Sequence, residues 1–251
     1  MIELQNITKS FDGIEILKGI SMAFEAGKTN LIIGQSGSGK TVLLKCLLGL
    51  HQPNGGDMLF NNQALVEMDD DQRRILRREM GMVFQGSALF DSMTVLENVM
   101  FPMQMLTNQS EALMRKAAEE VIERVNLVDA QQKLPAELSG GMQKRVAIAR
   151  AVVMKPKYLF CDEPNSGLDP KTAIVIDNLI REITQENNIT TVINSHDMNS
   201  VMEIGDSILF LKDGVKAWEG SKELIFKTDN EAINDFVYSS NLMKKVKEVY
   251  Q

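Results

Sequence analysis

Short apolar stretches, some alternating with polar residues, dominate the first sixty positions of the chain and predict β-strands. Residues 2–7 alternate apolar and polar side chains, the pattern of a strand with one buried face. Residues 21–24 and 31–33 are brief apolar runs closed by glycine or polar residues, which is typical of strands. A helix is expected over residues 40–48, where glycine follows the last apolar position, and a further strand over residues 55–60.

The middle of the chain, from about residue 69 to residue 137, has mostly the spacing of helices. The clearest helix covers residues 110–125, with Ser110 as a fair N-cap. Its apolar positions recur every four residues and predict the following face: Leu113, Ala117, Val121 and Val125.

Strands and helices alternate in the second half of the chain. Strands are predicted over residues 158–161, 190–194 and 208–211, with a helix over residues 170–185. Such alternation favours an α/β fold, in which helices cover a parallel sheet. A terminal helix over about residues 231–251 is expected outside that core.

Composition sets the outer limits of this interpretation. The chain has 251 residues, 44% hydrophobic and 24% charged, so it can bury a substantial core. The formal net charge is −7 and no Lys/Arg run stands out, which argues against a nucleic-acid partner. The strongest basic cluster lies beside acids and is interpreted as a solvated helix face: Arg73, Arg74, Arg77 and Arg78.

Cysteine usage and hydropathy bear on the cellular setting. Cys46 and Cys161 lie in apolar stretches without metal-ligand spacing, so buried, reduced thiols are expected. The first seven residues lack the basic and long apolar regions of a signal peptide. Apolar stretches stay below the roughly 18 residues that a membrane helix needs, so a membrane role would require a partner.

Residues 34–41, Gly-Gln-Ser-Gly-Ser-Gly-Lys-Thr, match the phosphate-loop pattern GxxxxGK[ST] between a predicted strand and a predicted helix. Glycines let the backbone curl so that successive N–H groups face phosphate oxygens, and the helix N-terminus adds a favourable dipole. Lys40 is expected to reach the β- and γ-phosphates, and the Thr41 hydroxyl to ligate Mg²⁺. The alternative, a Gly/Ser-rich turn without function, fits the flanking elements poorly.

Two adjacent acids, Asp162 and Glu163, end an apolar strand. Acids at that position are costly unless they face solvent or serve a function. Beside a phosphate loop, Asp162 is expected to hold Mg²⁺ through water and Glu163 to polarise an attacking water as general base. A simple acidic turn at the strand end is the structural alternative.

Residues 138–146, Leu-Ser-Gly-Gly-Met-Gln-Lys-Arg-Val, resemble the signature motif of ABC ATPases and precede the acid pair as in that family. Taken alone, Ser-Gly-Gly could equally be a helix cap, and in both interpretations glycines expose the backbone at a helix N-terminus. Other family positions follow in sequence order up to about residue 224. They are Phe11 for the adenine-stacking aromatic, Gln85 for the Q-loop, residues 166–169 for the D-loop and His196 for the switch histidine.

The resemblance implies a P-loop NTPase fold of the ABC type, with an N-terminal antiparallel β region and an inserted helical subdomain. The ATPase domain would span residues 1–228, the insert about 86–155 and a C-terminal helical extension 229–251. Implied catalytic residues are Lys40, Gln85, Glu163 and His196, and implied Mg²⁺ contacts are Thr41, Gln85 and Asp162. The implied ATP site comprises Phe11, Gly34, Gln35, Ser36, Gly37, Ser38, Gly39, Lys40, Thr41, Val42 and, from the opposite subunit, Ser139, Gly140, Gly141 and Met142.

The family resemblance further implies a head-to-tail homodimer in which each ATP lies between the phosphate loop of one subunit and the signature motif of the other. A single copy would then bind ATP but hydrolyse it poorly. Two positions depart from the usual pattern: Met142 replaces a Gln, and Asn165 replaces a Thr or Ser. Neither removes an identifiable phosphate ligand.

Residues 85–93, Gln-Gly-Ser-Ala-Leu-Phe-Asp-Ser-Met, together with the Ser-Gly-Gly-Met signature, look most like the ATPase of Mla-type transporters. That resemblance implies phospholipid transport between bacterial membranes, an MCE-domain partner and a position on the cytoplasmic face of the inner membrane. The rival interpretations are an importer ATPase for an amino acid or other solute, and a soluble ABC ATPase of the iron–sulfur assembly type.

Two apolar surfaces are expected to take part in assembly. The stretch 85–105 is expected to form the groove that receives a helix of a membrane permease subunit, with about half of its apolar side chains in the core instead: Leu89, Phe90, Met93, Met100, Met103 and Met105. The C-terminal segment presents a further apolar face that could pack on its own domain, on a regulator or on the twin subunit, where we expect it to brace the dimer: Phe236, Val237, Leu242, Met243, Val246 and Tyr250.

Overall fold

The structure, a computed structural model, describes residues 1–238. Within that range the strands, in chain order, are β1 (Ile2–Phe11), β2 (Ile14–Phe24), β3 (Thr29–Ile33), β4 (Gly55–Phe60), β5 (Gln63–Ala64), β6 (Met80–Val83), β7 (Tyr158–Asp162), β8 (Thr190–Ser195), β9 (Ser207–Lys212) and β10 (Val215–Gly220). The α-helices are α1 (Lys40–Leu47), α2 (Asp70–Arg78), α3 (Val95–Leu106), α4 (Glu111–Arg124), α5 (Gly140–Val152), α6 (Pro170–Glu186), α7 (Met198–Ile204) and α8 (Glu231–Val237).

A six-stranded sheet forms the centre, in the order β10-β9-β3-β8-β7-β6. Its strands are parallel except at the β9–β10 edge pair. Side chains of β3 alternate between two cores: Leu31 and Ile33 face one, Ile32 the other. All five β3 residues are buried, which explains why its last three, residues 31–33, are all apolar and do not alternate with polar residues.

The N-terminal strands form a second, four-stranded antiparallel sheet in the order β2-β1-β4-β5. Its apolar face packs with α1 and with one side of the central sheet; Phe24, Leu44 and Phe160 belong to the same core cluster. The helix α1 is therefore enclosed by apolar side chains of both sheets. This burial fixes the start of α1, and with it the phosphate loop.

Helices α3, α4 and α5 lie between β6 and β7 in the sequence and form the helical insert. Helix α3 begins with a capping box, in which the Thr94 hydroxyl accepts from the Glu97 N–H and the Glu97 carboxylate accepts from the Thr94 N–H. Helix α5 begins at the Ser139 N-cap. The insert packs on the second face of the central sheet through one continuous apolar cluster.

The buried face of the helix at residues 110–125 is centred one position beyond the predicted one, although Ala117 and Val121 of the predicted face still pack partly against the core. Leu113 is 59% exposed, whereas Met114 is buried, as are Ala118 and Ile122 one and two turns on. Val125 is buried as expected. Two apolar stripes run side by side on this helix, and contact with α3 and α5 decides which one is buried. Sequence periodicity alone does not separate them.

The other predicted strands and helices are present within the described residues, some of them with different boundaries. Strands β1 and β2 extend well beyond the predicted 2–7 and 21–24, because β-bulges let polar residues continue the pairing. Strand β6 was missed inside a stretch predicted to be mostly helical; with four residues it is too short to show a period. Both cysteines are free and buried, as predicted. Among residues 1–238, none of the helices has the length and apolarity needed to cross a membrane.

Helix α8, the described part of the C-terminal segment, packs on its own domain, which is one of the alternatives expected from the sequence. Ile233 and Val237 are buried, and the Phe236 ring lies 5.0 Å from the Phe210 ring, centroid to centroid. The remaining positions of the predicted apolar face lie outside the described residues: Leu242, Met243, Val246 and Tyr250.

Candidate functional site

The phosphate loop connects β3 to α1 at the carboxyl edge of the central sheet. Gly34, Gly37 and Gly39 all adopt positive φ, at 150°, 81° and 104°. A Cβ atom on Gly34 would lie 2.3 Å from the Leu211 carbonyl oxygen, so the loop can take this path only with glycine there. The Ser38 hydroxyl is buried and, within the described chain, has no hydrogen-bond partner.

Lys40, the first residue of α1, extends back across the loop. Its Nζ donates to the carbonyl oxygens of Gly34 at 2.7 Å and Gln35 at 3.0 Å. Burial lowers the pKa of the Lys40 ammonium, and the nearby carboxylates of Glu163 and Asp162 act against that change by raising it. The loop thus holds a buried cation whose partners are carbonyl dipoles, with two carboxylates close enough to act on its charge.

The two acids follow β7, beside the phosphate loop. Asp162 accepts a hydrogen bond of 3.0 Å from the Asn194 side-chain amide, which orients its carboxylate from the neighbouring strand β8. Glu163 has a φ of 49°, a left-handed conformation that is unusual for a residue with a side chain. The Glu163 N–H donates to the Asn194 carbonyl at 3.0 Å, which ties this turn to β8.

His196 lies one residue past β8, next to Glu163. Its Nδ1 is 2.8 Å from a Glu163 carboxylate oxygen. The Glu163 side chain is 16% exposed and that of His196 is 66% exposed, so the pair reaches from the domain interior to its surface. An imidazole held by one nitrogen keeps its other nitrogen free to contact a ligand in the cleft.

The Q-loop and D-loop positions are joined directly. The Gln85 side-chain amide donates to the Ser166 hydroxyl at 3.1 Å. On the other side, the Gln85 carbonyl accepts from buried Lys144 of α5. Asp169 caps α6 by accepting from the N–H groups of Lys171 and Thr172. The segment after Glu163 is therefore anchored at both of its ends.

One open cleft of ≈ 790 Å³ collects most of the residues predicted for the site. Phe11 lies at its rim, 38% exposed, with its ring edge-on to His51 at 5.1 Å. The predicted site residues that line the cleft are Phe11, Gly34, Gln35, Ser36, Gly37, Gly39, Lys40, Thr41, Val42, Gln85, Asp162, Glu163 and His196. Ser38 lies directly behind the loop and is buried.

The signature residues lie elsewhere in the same chain. Ser139 and Gly140 are exposed at the start of α5, and within the described chain Ser139, Gly140, Gly141 and Met142 stand apart from the cleft lining. The Ser139 hydroxyl accepts from the Met142 N–H at 3.3 Å, so the helix-cap interpretation is confirmed. A single copy therefore carries two separate helix starts of the kind that can bind anions, α1 after the loop in the cleft and α5 outside it.

Three parts of the site escaped the sequence reasoning. Asn194 orients Asp162, and Ile16 and Phe236 complete the cleft wall. Asn194 could have been suspected because an amide inside an otherwise apolar strand needs a polar partner. Phe236 gave no such signal, since its contact with the cleft depends on how α8 packs.

The cleft fits a nucleoside triphosphate with Mg²⁺. The loop presents a backbone cradle and an unpartnered buried hydroxyl at Ser38, and Lys40 supplies the cation. Thr41, Gln85 and Asp162 bring hydroxyl, amide and carboxylate oxygens to the same cleft. Oxygen donors in this small number suit Mg²⁺, which takes its other ligands from phosphates and water.

The sequence is similar to a family model and to several known proteins. A family model described as "ABC transporter" matches residues 17–166. The methionine import ATP-binding protein MetN of Latilactobacillus sakei is 37% identical over 97% of this chain and 72% of its own length. The L-cystine import ATP-binding protein TcyC of Bacillus subtilis is 38% identical over 92% and 94%. The probable ribonucleotide transport ATP-binding protein mkl of Mycobacterium leprae is 33% identical over 94% and 68%.

Two solved structures are similar along most of their length. The cassette MJ0796, as a dimer in a post-hydrolysis state with ADP and Pi, has a TM-score of 0.78 at 34% identity, covering 88% of this chain and 99% of that one. The structure of cbiO1 from Clostridium perfringens, part of the ABC transporter complex cbiONQ, has a TM-score of 0.85 at 29% identity, covering 99% and 98%.

Proposed function

The chain belongs to the ABC transporter family and is an ATP-binding, ATP-hydrolysing subunit. From this premise we propose that two copies close around two ATP molecules, and that this closure drives a membrane subunit that transports phospholipid. The observation that carries the catalytic part is the convergence of Lys40, Asp162, Glu163 and His196 on one cleft. The solved relative bound to ADP and Pi supports the hydrolytic outcome.

Each cleft residue has a role that its geometry supports. Lys40 pairs with the β- and γ-phosphates in place of the loop carbonyls it now contacts. Thr41, Asp162 and Gln85 would hold Mg²⁺, which neutralises charge on the transferred phosphoryl group. Glu163 accepts the proton of the attacking water, and His196 orients that carboxylate through its Nδ1 contact while facing the γ-phosphate. Phe11 stacks on adenine at the rim.

A second copy completes the site. In the proposed dimer the first turn of α5, at Ser139–Met142 of one subunit, meets the γ-phosphate held by the other, because this turn lies outside the cleft of its own chain. Phosphoryl transfer depends on positioning and charge stabilisation, so hydrolysis waits for closure. The dimeric form of the MJ0796 cassette supports this arrangement.

We place the permease contact at an apolar groove beside the Q-loop. The groove, ≈ 510 Å³ in volume, lies between β6, α3 and α5. Phe90 and Met105 of the predicted docking stretch line it, and both are exposed. Met100 and Met103 are instead buried in the core of the insert. A docked helix would bring the subunit to the cytoplasmic face of the membrane.

The groove is mechanically joined to the catalytic machinery. Arg150 of α5 lines the groove and donates at 2.7 Å to the carbonyls of Ser87 and Ala88, two residues with positive φ. Two residues before Ser87, Gln85 contacts Ser166 of the D-loop. A push on the groove by a membrane subunit would therefore act on a strained, well-anchored segment that ends in the cleft.

Phospholipid is proposed as cargo because residues 85–93 and the Ser-Gly-Gly-Met signature resemble Mla-type ATPases, which work with an MCE-domain protein. A second candidate is an importer ATPase for an amino acid. It is favoured by MetN and TcyC, whose names specify methionine and L-cystine import. The two candidates share one mechanism in this subunit and differ in the partners they require.

The test is affinity purification of the tagged chain from gently solubilised membranes of its own host. The phospholipid proposal expects a multi-span membrane protein, an MCE-domain protein and bound phospholipid, identified by mass spectrometry. Recovery of a permease with a binding protein for amino acids would support the second candidate. Recovery of soluble partners alone would contradict both.

A matched pair of variants tests the docking site in the same experiment. Met105→Glu places a charge in the groove, whereas Leu113→Glu places one at a similarly exposed position on α4, outside the groove lining. Loss of the membrane partner is expected for Met105→Glu only. Equal recovery with both variants would move the docking site elsewhere.

A further inference from the structure

A polar cluster with two buried members, Asp177 and Ser200, lies close in sequence to the candidate catalytic residues. The Asn165 side-chain amide donates to the Asp177 carboxylate at 2.6 Å and to the Ser200 hydroxyl at 3.0 Å. Asp177 and Ser200 are each 2% exposed. The Asn165 side-chain oxygen is also buried and, within the described chain, has no partner. The cluster thus joins three segments: the turn after β7, helix α6 and helix α7.

The positions of these residues along the chain tie the cluster to the chemistry. Asn165 is two residues after Glu163 and directly precedes Ser166, which bonds to Gln85. Ser200 is four residues after His196, on the helix that His196 leads into. The hydrogen bonds of Asp177 are with Asn165 and Ser200, and not with Glu163 or His196 themselves. It stands between the two short segments that carry them.

Burying the carboxylate of Asp177 on the inner face of α6 costs free energy. Its neighbours on the buried face of α6 are Ile176 and Ile180, and desolvation raises its pKa to about 6. A buried carboxyl costs free energy that an apolar side chain of similar volume would not. The hydrogen bonds from Asn165 and Ser200 offset part of that cost by favouring the charged form. What the cluster adds over an apolar filling is a directional link between the two segments.

We propose that Asp177 is a positioning residue for ATP hydrolysis, which through Asn165 and Ser200 holds the segments bearing Glu163 and His196 in one fixed relation. This inference rests on the proposed roles of those two residues. The Glu163–His196 contact of 2.8 Å depends on both segments, and Glu163 already occupies a left-handed backbone conformation. Such a conformation persists only where surrounding contacts hold it.

The expected effect is on turnover and not on nucleotide binding. ATP affinity depends on the phosphate loop and on the aromatic rim, which the cluster does not touch. A shift of the base by even about 1 Å can reduce a rate by about 100-fold. For Asp177→Ala we therefore expect kcat to fall by about tenfold or more, with KM for ATP changed by no more than about twofold.

A matched control is available on the same helix. Thr184 is 0% exposed and bonds to the Ile180 carbonyl and the Thr191 hydroxyl, away from the cleft lining. Thr184→Val removes buried hydrogen bonds as Asp177→Ala does, and should lower stability while leaving kcat per folded molecule unchanged. If Asp177→Ala behaves as Thr184→Val does, with kcat retained, Asp177 is merely structural and the proposal fails.

Exchanging the amide of Asn165 and the carboxylate of Asp177 should restore kcat. Asn165→Asp alone sets two carboxylates against each other and should lower kcat. Adding Asp177→Asn restores an amide facing a carboxylate with the direction of the hydrogen bond reversed, and should recover at least half of the lost activity. Conservative Asp177→Asn by itself keeps an acceptor for Asn165 and should retain more activity than Asp177→Ala. No recovery in the exchanged pair would overturn the proposal, even if Asp177→Ala does not fold.

Glu163→Gln, assayed alongside, separates this inference from the function it rests on. Unreduced hydrolysis by Glu163→Gln would overturn the assignment of the base and with it the positioning role. Loss of hydrolysis in Glu163→Gln together with normal kcat in folded Asp177→Ala would overturn the positioning role alone.

Discussion

In the proposed dimer, the cleft and the helical insert of this chain would contact ATP through different kinds of backbone structure. The cleft is built of turns at the ends of β3, β7 and β8, with left-handed backbone at Gly34 and Glu163 and a buried cation at Lys40. The insert uses ordinary amphipathic helices, and its proposed anion-binding turn at Ser139 is an exposed helix start with standard capping geometry.

This difference indicates which contacts fix the position of the phosphate-binding groups in each region. In the cleft, strand registers and buried hydrogen bonds such as Asn194 to Asp162 set the geometry within one chain. The insert presents its turn outward, and in the proposed dimer the position of that turn relative to phosphate depends on a second chain. A mutation in the cleft should therefore change the site within its own chain. A mutation in the turn of the insert should act on the site of the second subunit in the dimer.

The largest expected effect belongs to the cleft. Glu163→Gln keeps size and hydrogen bonding but removes the base, so kcat should fall by about 1000-fold while ATP still binds. Single-turnover hydrolysis and equilibrium ATP binding check the two halves of this statement. A variant that retains more than about a tenth of the wild-type rate would not be explained by a base at this position.

Mixing two inactive variants would test the division between the regions. Lys40→Ala should abolish productive ATP binding in the cleft, and Ser139→Glu should repel phosphate from the insert. In a heterodimer one of the two composite sites is intact, so mixed protein should hydrolyse ATP on the order of 20-fold faster than either variant alone. An unchanged rate in subunits shown to exchange would indicate that each chain supplies its whole site.

Within the insert, neighbouring residues of α4 should differ in their effect on stability. Met114→Ala removes a buried side chain and should lower the free energy of unfolding by about 2 kcal/mol, whereas Leu113→Ala at an exposed position should change it by less than about 0.5 kcal/mol. Chemical denaturation measures both. Equal losses would mean that the two apolar stripes of α4 are packed alike.

The smallest effect concerns the dependence of stability on pH behind the cleft. Because burial raises the pKa of Asp177 from 3.8 to about 6, the folded state binds this proton more tightly than the unfolded state. The resulting stabilisation is present at low pH and is lost as pH rises through about 6. Relative to wild type, Asp177→Asn should gain about 1 kcal/mol of stability between pH 5 and pH 8. A difference independent of pH would contradict the raised pKa.

The cleft could be predicted from sequence more completely than the insert could. Its residues follow strands closely, and patterns such as GxxxxGK[ST] require nearly one backbone path, so Lys40, Asp162 and Glu163 were identifiable. Contacts between distant segments were not. The Asn165–Asp177 bond joins a turn to a helix, and no local spacing encodes it. For the insert, the choice between the Leu113 and Met114 faces needed the packing partners themselves.

The two native cysteines matter for how the composite site can be trapped. Cys46 and Cys161 are both 0% exposed, and burial raises the pKa of each thiol, to about 11 for Cys46. Neither will form a thiolate readily near neutral pH, so maleimides and disulfide-forming oxidants should leave both cysteines of the folded chain unreacted. Cysteines introduced in place of Ser36 and Ser139 would then be the reactive pair. An ATP-dependent disulfide between two chains would show that the phosphate loop of one lies next to the signature turn of the other, without reaction of the native cysteines.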